Sequence, residues 1–309
     1  NDGRNNMKIS LKTGVSAGVM LALAASLITI TDYTVKHEQI RIQTTETAVM
    51  SNASMEEIGN EITARIEAEE ISAVIAKLDT VSLSSYNEIQ EARQLYENAS
   101  GDARSYINEQ GLLDAESAYA QLEQDRTAKL TGAIAGGDVM QVLEYADTQI
   151  QGSGDACLDS LVQEFIGKAV TDDMSRSEQL QACYDYMVAN YSYGYNYNCN
   201  YGSGRKSVAW ATAFLRDGYG ACNNWSAAFT YIARALGYDC RLYYGSTAAS
   251  RGGSVEHYWP CIVVEGTEFI FDPQVEGDMT RRSGVNRHNR FGLIGAAASS
   301  KYYFSNTIE

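Results

Sequence analysis

The feature that most constrains this sequence is a cysteine at the predicted start of an amphipathic helix. Gly218 and Gly220 precede Cys222, and apolar residues then recur at helical spacing until Gly237 ends the pattern. These apolar residues are Ala228, Phe229, Ile232 and Leu236. At a helix N-terminus, unpaired backbone N–H groups and the positive end of the helix dipole favour a thiolate. The pattern therefore predicts a reactive thiol at the start of this helix.

Strand-forming segments follow the helix and carry a histidine and an aspartate. Three segments rich in β-branched and aromatic residues predict strands, namely residues 239–246, 257–266 and 268–274. Glu265-Gly266-Thr267 has the composition of a hairpin turn between the last two. We therefore expect an α+β domain with antiparallel strands, in which His257 opens the second strand and Asp272 closes the third. A hairpin of this kind brings their side chains together.

The order of these three residues predicts nucleophilic catalysis. An imidazole can take the proton of a thiol, and a carboxylate bonded to its other ring nitrogen fixes the tautomer and orientation. Taken singly, a cysteine on a helix is more often a small buried residue, and a histidine at a strand end is more often a surface residue. The chain has only three histidines, and one lies in this context. We predict Cys222 as nucleophile, His257 as base and Asp272 as orienting acid.

The same residues resemble the transglutaminase-like superfamily of the papain-type fold. The motifs that carry the resemblance are Gly220-Ala221-Cys222, Leu236-Gly237, His257-Tyr258-Trp259 and Asp272-Pro273. Residues 174–196 also resemble the helix that opens this domain in secreted bacterial members, so the resemblance covers about residues 153–280. It implies a papain-like domain over 153–309 and the same triad. For the oxyanion, the backbone N–H of Cys222 is the natural donor, with Trp210 or Asn223 as candidates beside it.

The resemblance implies an exported cysteine-dependent peptidase or acyltransferase. Its substrate would be a peptide or protein, with cell-wall peptide as one candidate. Thiolate, imidazole and backbone donors suffice for this chemistry, so no cofactor and no metal is expected. Some family members keep the fold as binding modules, and the alternative function is therefore a catalytically silent structural or binding subunit of a surface assembly.

Charge and cysteine content limit the partners further. The net charge of −15 over 309 residues argues against nucleic acid or an anionic membrane surface as the main partner. Six cysteines without a CxxC pair suit an oxidising compartment better than a zinc site. Two disulfides are candidates, Cys157 with Cys183 and Cys240 with Cys261.

The N-terminal residues predict an apolar segment over 1–31. Residues 14–30 are uncharged and mostly apolar, just short of the roughly 20 residues that span a bilayer. One interpretation is a secretory signal that starts at Met7 and is cleaved near Ala24-Ala25, and the other is an uncleaved membrane anchor. Either predicts an extracellular, cell-surface or membrane-anchored protein. An extended helix is expected over 32–70. An apolar helix continued by a polar one is also the layout of pilin-type subunits, so self-association into a filament through this helix is an alternative.

The middle of the chain predicts an all-α region before the catalytic domain. Residues 71–126 contain three amphipathic segments and resemble the small three-helix repeats of surface proteins from Gram-positive bacteria. Residues 127–152 contain a Gly-Gly pair, a short helix and a Gly-Ser-Gly exit, which predict a partly flexible linker.

Overall fold

The computed structural model describes residues 52–196, 198–199, 204–249 and 252–309. The predicted apolar segment over 1–31 and residues 32–51 of the predicted extended helix lie outside this part of the chain. Helix α1 spans Asn52–Ile75. The chain divides between Ile62 and Thr63 into two compact units, and only the start of α1 is described in the first. Among the described residues, no helix is long and apolar enough to cross a membrane.

The second unit begins with a helical cluster. After α1 come a 3-10 helix (Leu83–Ser85) and helices α2 (Tyr86–Asn98), α3 (Gly101–Arg104) and α4 (Gln110–Gly136). Their apolar faces bury one another around Ile71, Ile89, Ala92 and Leu112. The guanidinium of Arg93 on α2 bonds to the carboxylates of Glu109 and Glu116, at 2.8 and 2.7 Å. These contacts hold α2 against α4.

Helix α4 continues past the predicted module boundary at residue 126. It ends only at Gly136, where Gly137 takes a left-handed conformation as the C-cap, and helix α5 (Val139–Tyr145) follows at once. Leu130, Val142 and Leu143 are buried in the core of the C-terminal domain. Much of the predicted linker is therefore packed helix. No helix-ending residue interrupts α4 before the Gly-Gly pair, and the apolar side chains of this segment are buried in the domain core.

Four further helices form the helical layer of the C-terminal domain. They are α6 (Ala156–Ala169), α7 (Arg176–Asn190), α8 (Lys206–Asp217) and α9 (Cys222–Ala235). A capping box formed by Ser175 and Glu178 starts α7. Two short strands, β1 (Ser192–Tyr193) and β2 (Tyr219–Gly220), pair in parallel just before α9. This pairing fixes the chain that leads into the helix.

The strands of the main sheet follow α9 and are antiparallel. They are β3 (Cys240–Ala248), β4 (Ser254–Val264), β5 (Thr267–Ile270) and β6 (Tyr302–Thr307), in the order β5-β4-β3-β6. The turn between β4 and β5 has positive φ at Glu265 and Gly266, as a two-residue type I′ hairpin turn requires. The predicted hairpin is confirmed. Helices α10 (Pro273–Ser283) and α11 (Gly295–Ser299) lie between β5 and β6 in sequence.

The sheet has two different faces. Cys240 and Ile262 pack with helix α9 in the main core, whereas Cys261 on the opposite face packs with Trp259 and Tyr302. The candidate Cys240–Cys261 disulfide is therefore wrong, since the two side chains lie on opposite faces. The candidate Cys157–Cys183 disulfide is also wrong, because Cys157 is exposed whereas Cys183 is buried. All six cysteines are free thiols. The predicted α+β fold class is confirmed.

Candidate active site

Cys222 is the first residue of helix α9, as predicted. Its N-cap is Ala221, whose backbone N–H donates to Asn224 Oδ1 at 3.1 Å, and the amide of Asn224 donates to the Trp210 carbonyl at 3.0 Å. A Cβ on Gly220 would overlap the side chain of Asn224. Gly220 is therefore required by close packing, and the turn into the helix is held by the side chain of Asn224.

The oxyanion donors remain a prediction. As the first residue of α9, Cys222 has a backbone N–H that no carbonyl of its own helix can accept. The Trp210 ring lies edge-on against Tyr258, with centroids 5.4 Å apart, and Asn223 is half-buried. The N–H of Cys222 is thus placed beside the thiol, where an oxyanion would form.

His257 lies inside strand β4, three residues after its start. The prediction that it opens the strand is wrong, because β3 and β4 remain paired beyond it, up to Ala248 and Ser254. The imidazole is buried, and its Nε2 lies 2.7 Å from Asp272 Oδ2. The sulfur of Cys222 also lies close enough to this imidazole to help raise its pKa. A bond of 2.7 Å from Ser226 Oγ to the Tyr258 carbonyl fastens α9 to β4 beside it.

Asp272 is the N-cap of helix α10, two residues beyond the end of strand β5. The prediction that it closes the strand is therefore wrong, because β5 ends at Ile270. A short connection follows, and the helix begins at Pro273. The Asp272 side chain is fully buried. Its Oδ1 accepts the backbone N–H of Val275 at 3.0 Å, and its Oδ2 faces His257. One carboxylate thus caps a helix and orients the imidazole.

The charge of Asp272 controls the protonation of His257. Burial alone would lower the pKa of the imidazole, but the charge of Asp272 and its hydrogen bond outweigh that effect, and the nearby Cys222 adds to them. The His257 pKa rises from 6.5 to about 10. The structure therefore favours an imidazolium beside the thiol over the physiological pH range.

A fourth side chain at the site was not predicted from the sequence. Tyr302, the first residue of β6, donates its hydroxyl hydrogen to Asp272 Oδ2 at 2.7 Å and is buried. Tyr184 donates to the backbone carbonyl of Asp272 at 3.1 Å. Both residues are far from Asp272 in sequence, and neither belongs to the motifs that contain the predicted triad.

Two tyrosines lie near the sulfur of Cys222. Burial, and then the charge of a Cys222 thiolate, raise the pKa of Tyr193 on β1. The same charge adds to burial and to Tyr244 in raising the pKa of Tyr258. Tyr193 is 48% exposed, so its ring can contact a substrate bound at the thiol. These two tyrosines therefore border the site.

The arrangement can perform acyl transfer. Three functional side chains meet, with a thiol at a helix N-terminus, a buried imidazole and a buried carboxylate. Among the described residues, no group of three or more histidine, cysteine, aspartate or glutamate side chains is arranged to hold a metal ion.

Residues 160–273 match the family model described as the transglutaminase-like superfamily. The chain therefore contains a transglutaminase-like domain, and Cys222, His257 and Asp272 all lie in the matched region. Such a domain fits a cysteine-dependent hydrolase or acyltransferase in general terms.

Solved structures resemble the chain only weakly. One is a candidate cysteine protease from Cytophaga hutchinsonii, with 13% identity and a TM-score of 0.29, covering 52% of this chain and 58% of that chain. Another is a TGase with 17% identity and a TM-score of 0.27, covering 45% of this chain and 36% of that chain. The chain thus spans less than two thirds of either structure. No curated protein matches it significantly.

Proposed function

We propose that this protein is a cysteine-dependent peptidase or acyltransferase that acts on peptide or amide bonds through Cys222, His257 and Asp272. The observation that carries the proposal is the buried 2.7 Å hydrogen bond between His257 Nε2 and Asp272 Oδ2, with the Cys222 sulfur near enough to the same imidazole to affect its pKa. The transglutaminase-like match over residues 160–273 supports the same chemistry.

In the proposed reaction, His257 holds the proton released by Cys222 while the thiolate attacks the substrate carbonyl. The oxygen of the tetrahedral intermediate accepts the backbone N–H of Cys222. The imidazolium then gives its proton to the leaving amine, and a thioester remains on the sulfur. Water or a second amine, losing its proton to His257, attacks that thioester and releases the thiol. Asp272 keeps the imidazole oriented through both halves.

The first test is the pH dependence of iodoacetamide labelling at Cys222, followed by peptide mass spectrometry. The proposal predicts labelling that stays fast down to about pH 6 and slows in His257→Ala, since a thiol without an imidazolium reacts only near its ordinary pKa of about 8.5. Exposed Cys157 provides an internal control in the same digest. Slow labelling of both thiols in both proteins would favour the silent binding subunit.

A second test separates hydrolysis from transfer. An activated ester such as p-nitrophenyl acetate should acylate Cys222 and release one equivalent of nitrophenol, which Cys222→Ala should not do. An added primary amine then competes with water for the thioester. A product dominated by the amide indicates a transferase, and release of free acid despite the amine indicates a hydrolase.

We further propose that the protein works outside the cell on peptide or protein substrates, including cell-wall peptides. The proposal rests on the uncharged apolar stretch at residues 14–30 with lysines before it. Fractionation of a producing cell, with an antibody against the catalytic domain, tests it. Recovery only in the cytoplasmic fraction would refute it. Filament formation through the N-terminal helix stays a prediction, since that helix lies outside the described residues.

A further inference from the structure

The Asp272 carboxylate accepts more hydrogen bonds than the orientation of one imidazole requires. Oδ1 is occupied by the Val275 N–H, while Oδ2 accepts both from His257 and from the Tyr302 hydroxyl, each at 2.7 Å. Two donors on one oxygen define its position from two directions. The phenol therefore limits where Asp272 Oδ2 can move while it faces the imidazole.

Tyr302 remains a neutral donor because of its surroundings. Burial, and then the charge of Asp272, raise the pKa of the phenol far above its ordinary value, whereas the charge of Arg290 acts against them. The hydroxyl donates to Asp272 Oδ2. The other ionisable groups around this cluster are His257, Tyr184 and the buried Glu276, whose carboxylate accepts the Arg290 backbone N–H at 2.7 Å.

Packing and the hydroxyl bond together hold the Tyr302 ring. The ring packs on Trp259, with centroids 5.1 Å apart, and lies 6.3 Å from His257. Tyr302 also lines a pocket of about 230 Å³.

We propose that Tyr302 is a positioning residue that fixes the Asp272 carboxylate against His257 and thereby sets the protonation of the imidazole. This inference deepens the proposed function and rests on it for its catalytic consequence. It adds a role for the last strand of the sheet.

The test compares Tyr302→Phe with Tyr303→Phe. Tyr303 is the next residue on β6, and its side chain is 56% exposed, so the matched control removes a hydroxyl without touching the site. Loss of the Tyr302 hydroxyl leaves Asp272 Oδ2 to His257 alone, and a less solvated carboxylate holds the imidazolium more tightly. We expect the His257 pKa, followed by NMR of the ring nitrogens, to rise by about half a unit to one unit.

Catalysis should respond in the opposite direction. An imidazolium that holds its proton more tightly gives it up less readily to the leaving amine, so we expect kcat to fall about tenfold with KM unchanged. An unchanged His257 pKa in Tyr302→Phe, or equal shifts in Tyr302→Phe and Tyr303→Phe, would overturn the inference.

The two proposals fail separately. If the wild-type protein shows no acyl transfer, the proposed function fails. The His257 pKa in Tyr302→Phe compared with the wild type still tests the positioning role. If Tyr302→Phe does not fold, the wild-type protein with labelled tyrosine supplies the answer. A slowly exchanging Tyr302 hydroxyl proton that is lost in Asp272→Asn supports the inference, and a freely exchanging one overturns it.

Discussion

Replacing Asp272 by asparagine isolates the electrostatic role of this carboxylate. Asparagine is as good an N-cap as aspartate, so its side-chain oxygen can still accept the Val275 N–H and helix α10 should keep its start. The amide has no charge, and its one oxygen cannot serve Val275, His257 and Tyr302 together. The substitution therefore removes the main cause of the raised His257 pKa with little loss of local structure.

The expected effect follows from the pKa of His257. With a pKa of about 10, the imidazole is about 99% protonated at pH 8. Without the charge of Asp272, burial remains, and the pKa should fall to its ordinary 6.5 or below. At pH 8 only about 3% of the imidazole would then be protonated. We expect the imidazolium population at pH 8 to fall about thirtyfold, and Cys222 labelling to slow with it.

The assay is a pH titration of the histidine ring nitrogens by NMR. The chain has three histidines, and His257→Gln identifies the signal of interest. Asp278→Asn is the matched control, because Asp278 is a solvent-exposed carboxylate on the same helix, paired with Arg282 at 2.9 Å. A wild-type His257 that titrates near 6.5, or one whose titration is the same in Asp272→Asn, would refute the electrostatic reasoning.

Three further predictions concern stability. Gly220→Ala should lower the free energy of unfolding by about 1–3 kcal/mol, because its Cβ would overlap Asn224. Gly204→Ala, which has open space around it, should change that free energy little. Equal losses in a urea titration of the two variants would contradict this reasoning. Leu130→Ala should lower the free energy of unfolding by about 2–5 kcal/mol in the same assay, because Leu130 is buried. Leu113→Ala, on the exposed side of α4, should lower it much less. A small loss at Leu130 would favour the predicted flexible linker. The ion pair of His257 and Asp272 should stabilise the fold fully below about pH 6.5 and progressively less as pH rises through the folded His257 pKa of about 10. The free energy of unfolding of the wild type should therefore exceed that of His257→Gln by less at about pH 10 than at about pH 6. A difference that grows with pH would contradict the raised pKa.

The catalytic helix and the hairpin could be predicted because local sequence determines them. Glycines before Cys222 and an apolar stripe after it specify a helix start, and Glu265-Gly266 specifies a tight turn. Once those are in place, His257 and Asp272 must be near each other whatever the exact strand ends are. The predicted strand ends were wrong by only two or three residues, and the meeting of the two side chains does not depend on them.

The missed contacts are those that depend on tertiary packing between distant segments. Tyr302 pairs with Asp272 only because β6 adds to the far side of β3, and no local pattern says which edge of the sheet the last strand takes. The packing of residues 127–152 against the C-terminal domain was missed for a similar reason. Leu130 and Leu143 find a core that is completed by residues much later in the chain, so composition alone suggested flexibility where the structure has packing.

Asp272 links the stability of the domain to its proposed chemistry. The same side chain ends the chain segment after β5, starts α10 and faces the imidazole, so any change that removes its oxygens should affect both folding and catalysis. Asp272→Ala loses the cap and should cost about 1 kcal/mol more than Asp272→Asn, although both remove the charge that holds the His257 proton. Comparing the two variants therefore separates the cap from the charge. If they are equally stable but equally inactive, the helix cap adds nothing and the carboxylate is retained for His257 alone.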